Sequence, residues 1–397
     1  MTEDNTKIDR SFHIHADVVQ NSNFGTGDNG QQQNMSRDAS ASMLSTPSID
    51  ERQKLVVLLN KVEQFWIDGL LKQSIHQALW IELGKQLEQD KLYQPLSSTY
   101  QLPNKDPEPL PANKKVSELF VQHQRLLVIL GEPGAGKTMT LLDLAKDLLQ
   151  QAKQDDSQPI PVIFNLSSWS TGKYTELKPW LIAEFKQKYA VSNELSRDWL
   201  DKDKQRVLPL LDGLDEVDAR FRDSCVAAIN EFMCDYQNTG MVVCCRIKEY
   251  EALSTYLQFQ CAVALQALTQ EQIQAYLTQA GNSLAGLKWL LENDAESRAL
   301  ACSPLMLGVM SLTYADVPAD TVQQPLGYGL QERQYQLFEQ YVEKALVRKG
   351  ELLTYPKQYV KDKLSWLGFQ MQQHGQSVFM LENLQRSWLS NAQKWVY

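Results

Sequence analysis

Residues Gly131-Glu-Pro-Gly-Ala-Gly-Lys-Thr138 carry the spacing G-x-x-x-x-G-K-[ST]. Glycines at these places let a backbone curl round an anion with its N–H groups turned inward. In such a loop Lys137 reaches the β- and γ-phosphates of a nucleotide, and the Thr138 hydroxyl is a Mg²⁺ ligand. Glu132, Pro133, Gly134 and Ala135 form the cradle between Gly131 and Gly136. Met139 continues into a helix whose positive end faces the same anion. The motif follows the apolar run LLVIL and precedes an amphipathic stretch, the strand–loop–helix setting that phosphate binding needs.

A second group of residues with chemistry lies in VLPLLDGLDEV at 207–217. Asp212 ends an apolar strand, where a carboxylate can hold nucleotide-borne Mg²⁺, usually through water. Asp215 and Glu216 follow on the loop as candidates to orient or deprotonate an attacking water. The alternative for these two acids is a cap on the following helix. The next apolar run, MVVCC, ends at Arg246. A cation at a strand's carboxyl end can read a γ-phosphate; the alternative is a surface arginine neutralising Glu249 or Glu251.

Five short apolar runs must position these groups: Leu126–Leu130, Pro161–Asn165, Val207–Leu211, Met241–Cys245 and Cys261–Leu265. Amphipathic stretches separate them, near Thr138–Ala152, Leu177–Tyr189 and Arg220–Tyr236. Continuous apolar strands alternating with helices predict an α/β fold, a three-layer core with a parallel sheet covered on both faces. This core spans 116–268. Before it, Leu55, Leu58, Leu59, Val62 and Trp66 recur at helical spacing, and Leu70, Leu71, Ile75 and Leu79 predict a second helix. Together these make an N-terminal helical unit at 51–102. Pro103, Pro107, Pro109 and Pro111 mark a linker at 103–115.

After residue 268 the pattern is helical again. Thr269 with Gln272 makes a capping box for a helix through Gln279. Phe338, Tyr341, Val342, Ala345 and Leu346 line one later helix face, and Val360, Leu364, Leu367 and Met371 another. Ser377–Leu381 reads as a short strand and Glu382–Leu389 as a helix.

Composition narrows the function classes. The 397 residues are enough for two or three globular units, and the net charge of −9 argues against a protein that grips phosphate backbones of nucleic acid. Residues 1–50 are polar, with three basic residues (Lys7, Arg10, Arg37) against seven acidic ones, and read as a disordered tail. Within it, Phe12–Val19 alternates loosely, as a short strand would. All six cysteines lie between 225 and 302 without a C-x-x-C pair, and read as small buried thiols in a reducing compartment. No signal pattern opens the chain and no apolar run is long enough to span a membrane, so a cytoplasmic protein is expected.

Four motifs, GEPGAGKT at 131–138, PVIFNLSSW at 161–169, LLDGLDEV at 210–217 and VVCCR at 242–246, resemble in order and spacing the core of the NACHT nucleoside triphosphatases. These belong to the signal-transducing STAND class, and bacterial members resemble this chain in what precedes the core. Gly213 directly after Asp212, with acids at 215 and 216, is a particular mark of that family. SPLML at 303–307 resembles its helical-lid motif, which gives Pro304 a place against adenine; proline as a helix start is the other reading. The lid would span 269–324 and a winged-helix-like segment 325–397. His374 is the only histidine of that segment. Its setting departs from the family's diphosphate-sensing motif, and it is taken as a surface residue.

The resemblance implies an ATP- and Mg²⁺-binding switch with slow hydrolysis, cycling between an ADP-closed and an ATP-open state. It further implies ATP-dependent self-association, an effector or sensor partner, and a role in defence or stress signalling, antiviral defence in a bacterium included. Members usually carry an effector before the core and a sensor after it. The short front and the stop at Tyr397 suggest a truncated member or a sensor on another chain. The rivals are a ring-forming motor ATPase and a nucleotide-binding interaction module without hydrolysis. A GTPase is disfavoured because no N-K-x-D motif follows the loop.

Overall fold

Near-continuous apolar sequence becomes a parallel sheet. The computed structural model describes residues 47–72, 98–101, 108–109, 115–171, 173–236, 239–259, 261–322, 329–348 and 355–373. Its strands are β1 (Ser98–Gln101), β2 (Glu108–Pro109), β3 (Leu126–Gly131), β4 (Ile160–Asn165), β5 (Val207–Asp212), β6 (Met241–Cys245) and β7 (Cys261–Leu265). They form one sheet in the order β2-β1-β7-β3-β6-β5-β4. The strands β3 to β7 run parallel, and consecutive residues such as Leu127, Val128, Ile129 and Leu130 are all buried. Burial of successive residues means that both sheet faces are covered, because neighbouring side chains point to opposite sides. The expected strands therefore stand within one residue of their expected ends.

Two edge strands were not anticipated. β1 pairs antiparallel with β7, and β2 with β1. The proline-rich stretch read as a linker thus lends Pro109 to the outermost strand, where a residue without an N–H is tolerated.

The helices are α1 (Ile49–Val62), α2 (Val116–Gln122), α3 (Lys137–Gln154), α4 (Leu177–Tyr189), α5 (Asn193–Trp199), α6 (Ala219–Asp235), α7 (Ile247–Glu251), α8 (Gln270–Ala280), α9 (Ala285–Asn293), α10 (Ala295–Ala301), α11 (Pro304–Tyr314), α12 (Leu330–Arg348) and α13 (Lys357–Gln373). α1 runs on through a π-helical stretch, Glu63–Leu71, so Leu70 and Leu71 belong to this same rod rather than to a second helix. This rod packs on the sheet domain. Trp66 Nε1 donates to the Tyr189 hydroxyl at 2.8 Å, and Tyr189 donates to the Ile163 carbonyl at 2.7 Å. Glu51 caps α1 through Ser48 and also accepts from the buried Arg206 Nε at 3.0 Å.

One hydrophobic core runs from Leu55 to Leu265 and a second begins at Leu268, within α8 to α12. The expected box is present at its start: Gln272 N–H donates to Thr269 Oγ1 and Thr269 N–H to Gln272 Oε1. In α12 the expected face holds at the buried Leu346 and the half-buried Tyr341, Val342 and Ala345, while Phe338 is exposed and the adjacent Leu337 is buried instead. α13 buries none of its residues, and its expected stripe includes the exposed Leu364. Four of the cysteines are buried as expected, but Cys234, near the end of α6, is exposed and Cys302, in the turn before α11, is half-buried. Residues 1–46 of the expected tail with Phe12–Val19, Ile75, Leu79, His374 and the segments 377–381 and 382–389 lie outside the described residues, whereas Ser48, Ile49 and Asp50, expected in that tail, begin α1. Among the described residues no helix is long and apolar enough to cross a membrane.

Candidate functional site

The carboxyl ends of β3, β5 and β6 meet at one side of the sheet, with β6 between the other two. In parallel α/β sheets this end of the strands, where connections depart to opposite sides, is where a crevice forms.

At the end of β3, Gly131 leads into a tight turn in which Ala135 N–H donates to Glu132 O at 3.1 Å. Gly134 and Gly136 take φ of +76° and +96°, left-handed values that only glycine adopts without strain. A Cβ on Gly131 would come within 3.3 Å of Leu265 on β7, so the loop lies close against the neighbouring strand. α3 starts at Lys137, and its first turn opens onto the loop. Lys137 Nζ donates to Gly131 O at 2.9 Å and to Glu132 O at 3.3 Å, which draws the ammonium across the loop mouth. Glu132 and Pro133 are exposed, Ala135 is buried, and Met139 packs partly into the core.

Asp212 arrives at the end of β5. Thr138 Oγ1 donates to its Oδ2 at 2.8 Å. Burial raises the Asp212 pKa above the ordinary carboxylate value, aided by the negative Asp215, while Thr138 and Lys137 oppose the shift. One neutral and one anionic oxygen, adjacent and incompletely coordinated by protein, fit a hard cation that keeps phosphate and water ligands. Among the described residues no group of three or more His, Cys, Asp or Glu side chains is placed to hold a metal alone.

Asp215 and Glu216 sit in a 3₁₀ turn, Leu214–Glu216, and the helix cap falls instead to Asp218, which accepts from Arg220 N–H. The capping alternative is thereby removed. Asp215 pairs with Arg246 at 2.7 Å through Nε and accepts the Arg246 backbone N–H at 3.2 Å. Arg246 therefore faces the acid loop rather than Glu249 or Glu251. Glu216 accepts from Asn165 Nδ2 at 3.0 Å. Burial raises the Glu216 pKa, with Asn165 opposing; Asp212 and Asp215 add to the shift and Arg246 reduces it. Gly213 has φ of +79°, and a Cβ there would stand 2.9 Å from Glu216 Cδ. The small residue after Asp212 is thus where the Glu216 carboxyl folds across.

Pro304 occupies the first turn of α11, the helix-start position. Its neighbours touch the phosphate-type loop: Leu305 N–H donates to Gly134 O at 3.2 Å and Ser303 Oγ at 3.4 Å. A Cβ on Gly134 would lie 2.9 Å from Ser303 Oγ. Of the residues singled out in the sequence, all but Pro304 are placed on the three strand ends and the loop, with Pro304 beside Gly134. Sequence reasoning missed Asn165, Ser303 and Leu305. Asn165 was legible as a polar amide ending an apolar strand; nothing local marked Ser303 or Leu305.

Comparison with known proteins adds the family. Residues 125–282 match the NACHT domain model. No curated protein matches the chain. Among solved structures, a Walker-type ATPase of Pyrococcus abyssi is similar at 11% identity, covering 63% of this chain and 74% of that one, with a TM-score of 0.32. A likeness of that size carries no functional weight. The matched residues include β3 to β7 and the glycine loop, and in this stretch the chain is similar to the NACHT family.

Proposed function

We propose that this chain binds ATP with Mg²⁺ at the 131–138 loop and hydrolyses it slowly, as a signalling switch. The observation that carries the reading is the Thr138–Asp212 contact at 2.8 Å, at the mouth of a glycine loop that also holds Lys137. Gly131 to Gly136 supply inward N–H groups, Lys137 supplies a charge for the terminal phosphates, and Thr138 with Asp212 hold the cation. When bound, Mg²⁺ neutralises charge on the β- and γ-phosphate oxygens. Asp215 and Glu216 stand where a water can be oriented or deprotonated, and Arg246 stands at the β6 end, able to stabilise charge on the γ-phosphate.

The lid hypothesis rests on contact. Gly134 belongs to the loop that would hold phosphates, and its carbonyl is bound by α11. Di- and triphosphate then bias the placement of 269–324, with Pro304 beside the base, and of the winged-helix-like segment that follows. A differential affinity of the two nucleotides for two arrangements is the physical content of such a switch. The ADP form is closed; the ATP form opens and self-associates, passing a signal to an effector or sensor protein in a cytoplasmic defence or stress response.

The test is the nucleotide carried by the purified full chain, with its mass in solution before and after ATP. Bound ADP and a monomer that assembles with ATP support the switch. Absence of any nucleotide affinity overturns it.

A further inference from the structure

Resting on the nucleotide site proposed above, we infer that Cys244 is a positioning residue for the cation-holding carboxylate: its S–H donates to Asp212 and fixes the plane in which that carboxylate meets Mg²⁺. β6 lies between β3 and β5, and Cys244 is the last residue but one of β6. Leu211 of β5 is the Cα partner of Val243 of β6, so one step further along the two parallel strands Asp212 stands beside Cys244. Side chains at matched positions of neighbouring strands point to the same face of the sheet. The two side chains accordingly share a hydrogen bond. On the other side the Cα partner of Cys244 is Ile129, whose side chain offers the thiol no polar atom.

Burial sets the direction of that bond. Cys244 is 0% exposed, and burial, with Asp212 beside it, pushes the thiol well above its ordinary pKa, while Lys137 opposes the shift. The sulfur therefore keeps its hydrogen and donates it to the carboxylate. Thr138 Oγ1 already donates to Oδ2 of the same group. A carboxylate held by one donor can still turn about its own axis; a second donor on a different element stops the rotation. Thr138 rides on α3 beside the glycine loop, which must adapt to each nucleotide, whereas Cys244 is set in the middle of the sheet. The thiol is the fixed reference and the hydroxyl the adjustable one. A thiol is also a weak donor. It orients the oxygens without drawing off the negative charge that the cation needs.

Being a buried cysteine does not by itself confer this place. Cys245 is equally buried, but as the next residue of the strand it faces away from Asp212. For Cys225, buried within α6, burial is the sole influence on the thiol. Cys244 touches neither nucleotide nor reacting atom and acts through Asp212.

The experiment uses the full chain and titrates ATP calorimetrically with Mg²⁺ and with EDTA, beside the Mg²⁺ dependence of hydrolysis. Cys244→Val, close in volume and without a donor, should reduce the gain in ATP affinity that Mg²⁺ brings by about tenfold, as when a metal ligand loses its own hydrogen-bond partner. ATP affinity in EDTA should stay at the wild-type value. Cys244→Ser, which restores a donor, should keep the Mg²⁺ half-saturation within about twofold of wild type. Cys245→Ala, a buried change on the same strand facing away, should leave the Mg²⁺ dependence unchanged. Should Cys244→Val fail to fold, vibrational spectroscopy decides: the S–H stretching band that Cys244→Ala removes should shift in Asp212→Asn. Wild-type Mg²⁺ dependence in Cys244→Val, an equal loss in Cys244→Ser or Cys245→Ala, or an S–H band indifferent to Asp212→Asn overturns the assignment alone. A wild-type chain that binds no ATP overturns the nucleotide reading with it.

Discussion

Thr138 and Asp212, 74 residues apart in sequence, share a hydrogen bond of 2.8 Å across the ends of α3 and β5. With β6 lying between β3 and β5, the contact spans two strand spacings and fixes the width of the site. Asp212→Asn keeps an acceptor for Thr138 but removes the anionic oxygen. ATP should still bind, while Mg²⁺-dependent hydrolysis falls roughly 100-fold or more. Steady-state rates at varied Mg²⁺ check this.

The loop meets α11 at Gly134, so this glycine answers to two constraints. Its φ of +76° disfavours any side chain, and a Cβ would reach Ser303 Oγ at 2.9 Å. Gly134→Ala should cost about 1–2 kcal/mol from backbone strain alone and loosen α11 from the loop. Limited proteolysis within 269–324 and ATP affinity should both report the change.

Much of this arrangement was legible beforehand. Strands buried on both faces announce themselves as apolar runs, and β3 to β7 were found where Leu126–Leu130 and its counterparts lie. Gly131, Lys137, Thr138 and Asp212 were readable because phosphate chemistry demands those types at that spacing. β1 and β2 were not, since Ser98–Gln101 has no apolar pattern and becomes a strand only by pairing with β7. α5 and α7 were too short for periodicity. The different partners of Asp215 and Glu216 were not legible, because Arg246 and Asn165 approach them through the fold and not through the local chain.

The α1 rod should unfold together with the sheet domain. Trp66 is buried and bonded to Tyr189, so Trp66→Ala should cost about 3–5 kcal/mol. Trp66→Phe, which loses mainly the hydrogen bond, should cost about 1 kcal/mol. A single denaturation transition shifted in both variants is expected; two separate transitions would show an independent helical unit.

The Glu216 carboxyl gives a signed pH effect in nucleotide-free protein. Its pKa is raised by burial from the ordinary 4.5, so the fold favours the protonated form. Near pH 4 both states are mostly protonated and little is lost. As pH rises through 4.5 the unfolded chain ionises first, and stability falls until the raised native value is passed. Glu216→Gln should therefore raise the melting temperature at pH 7 and change it little near pH 4, by calorimetry.

The central claim is that the 131–138 loop holds a triphosphate, and calorimetric titration of ATP·Mg²⁺ into Lys137→Ala tests it most directly. The account predicts an intact fold with ATP affinity reduced at least about tenfold, from loss of a charge-assisted contact to the phosphates. Wild-type affinity in that variant would contradict it.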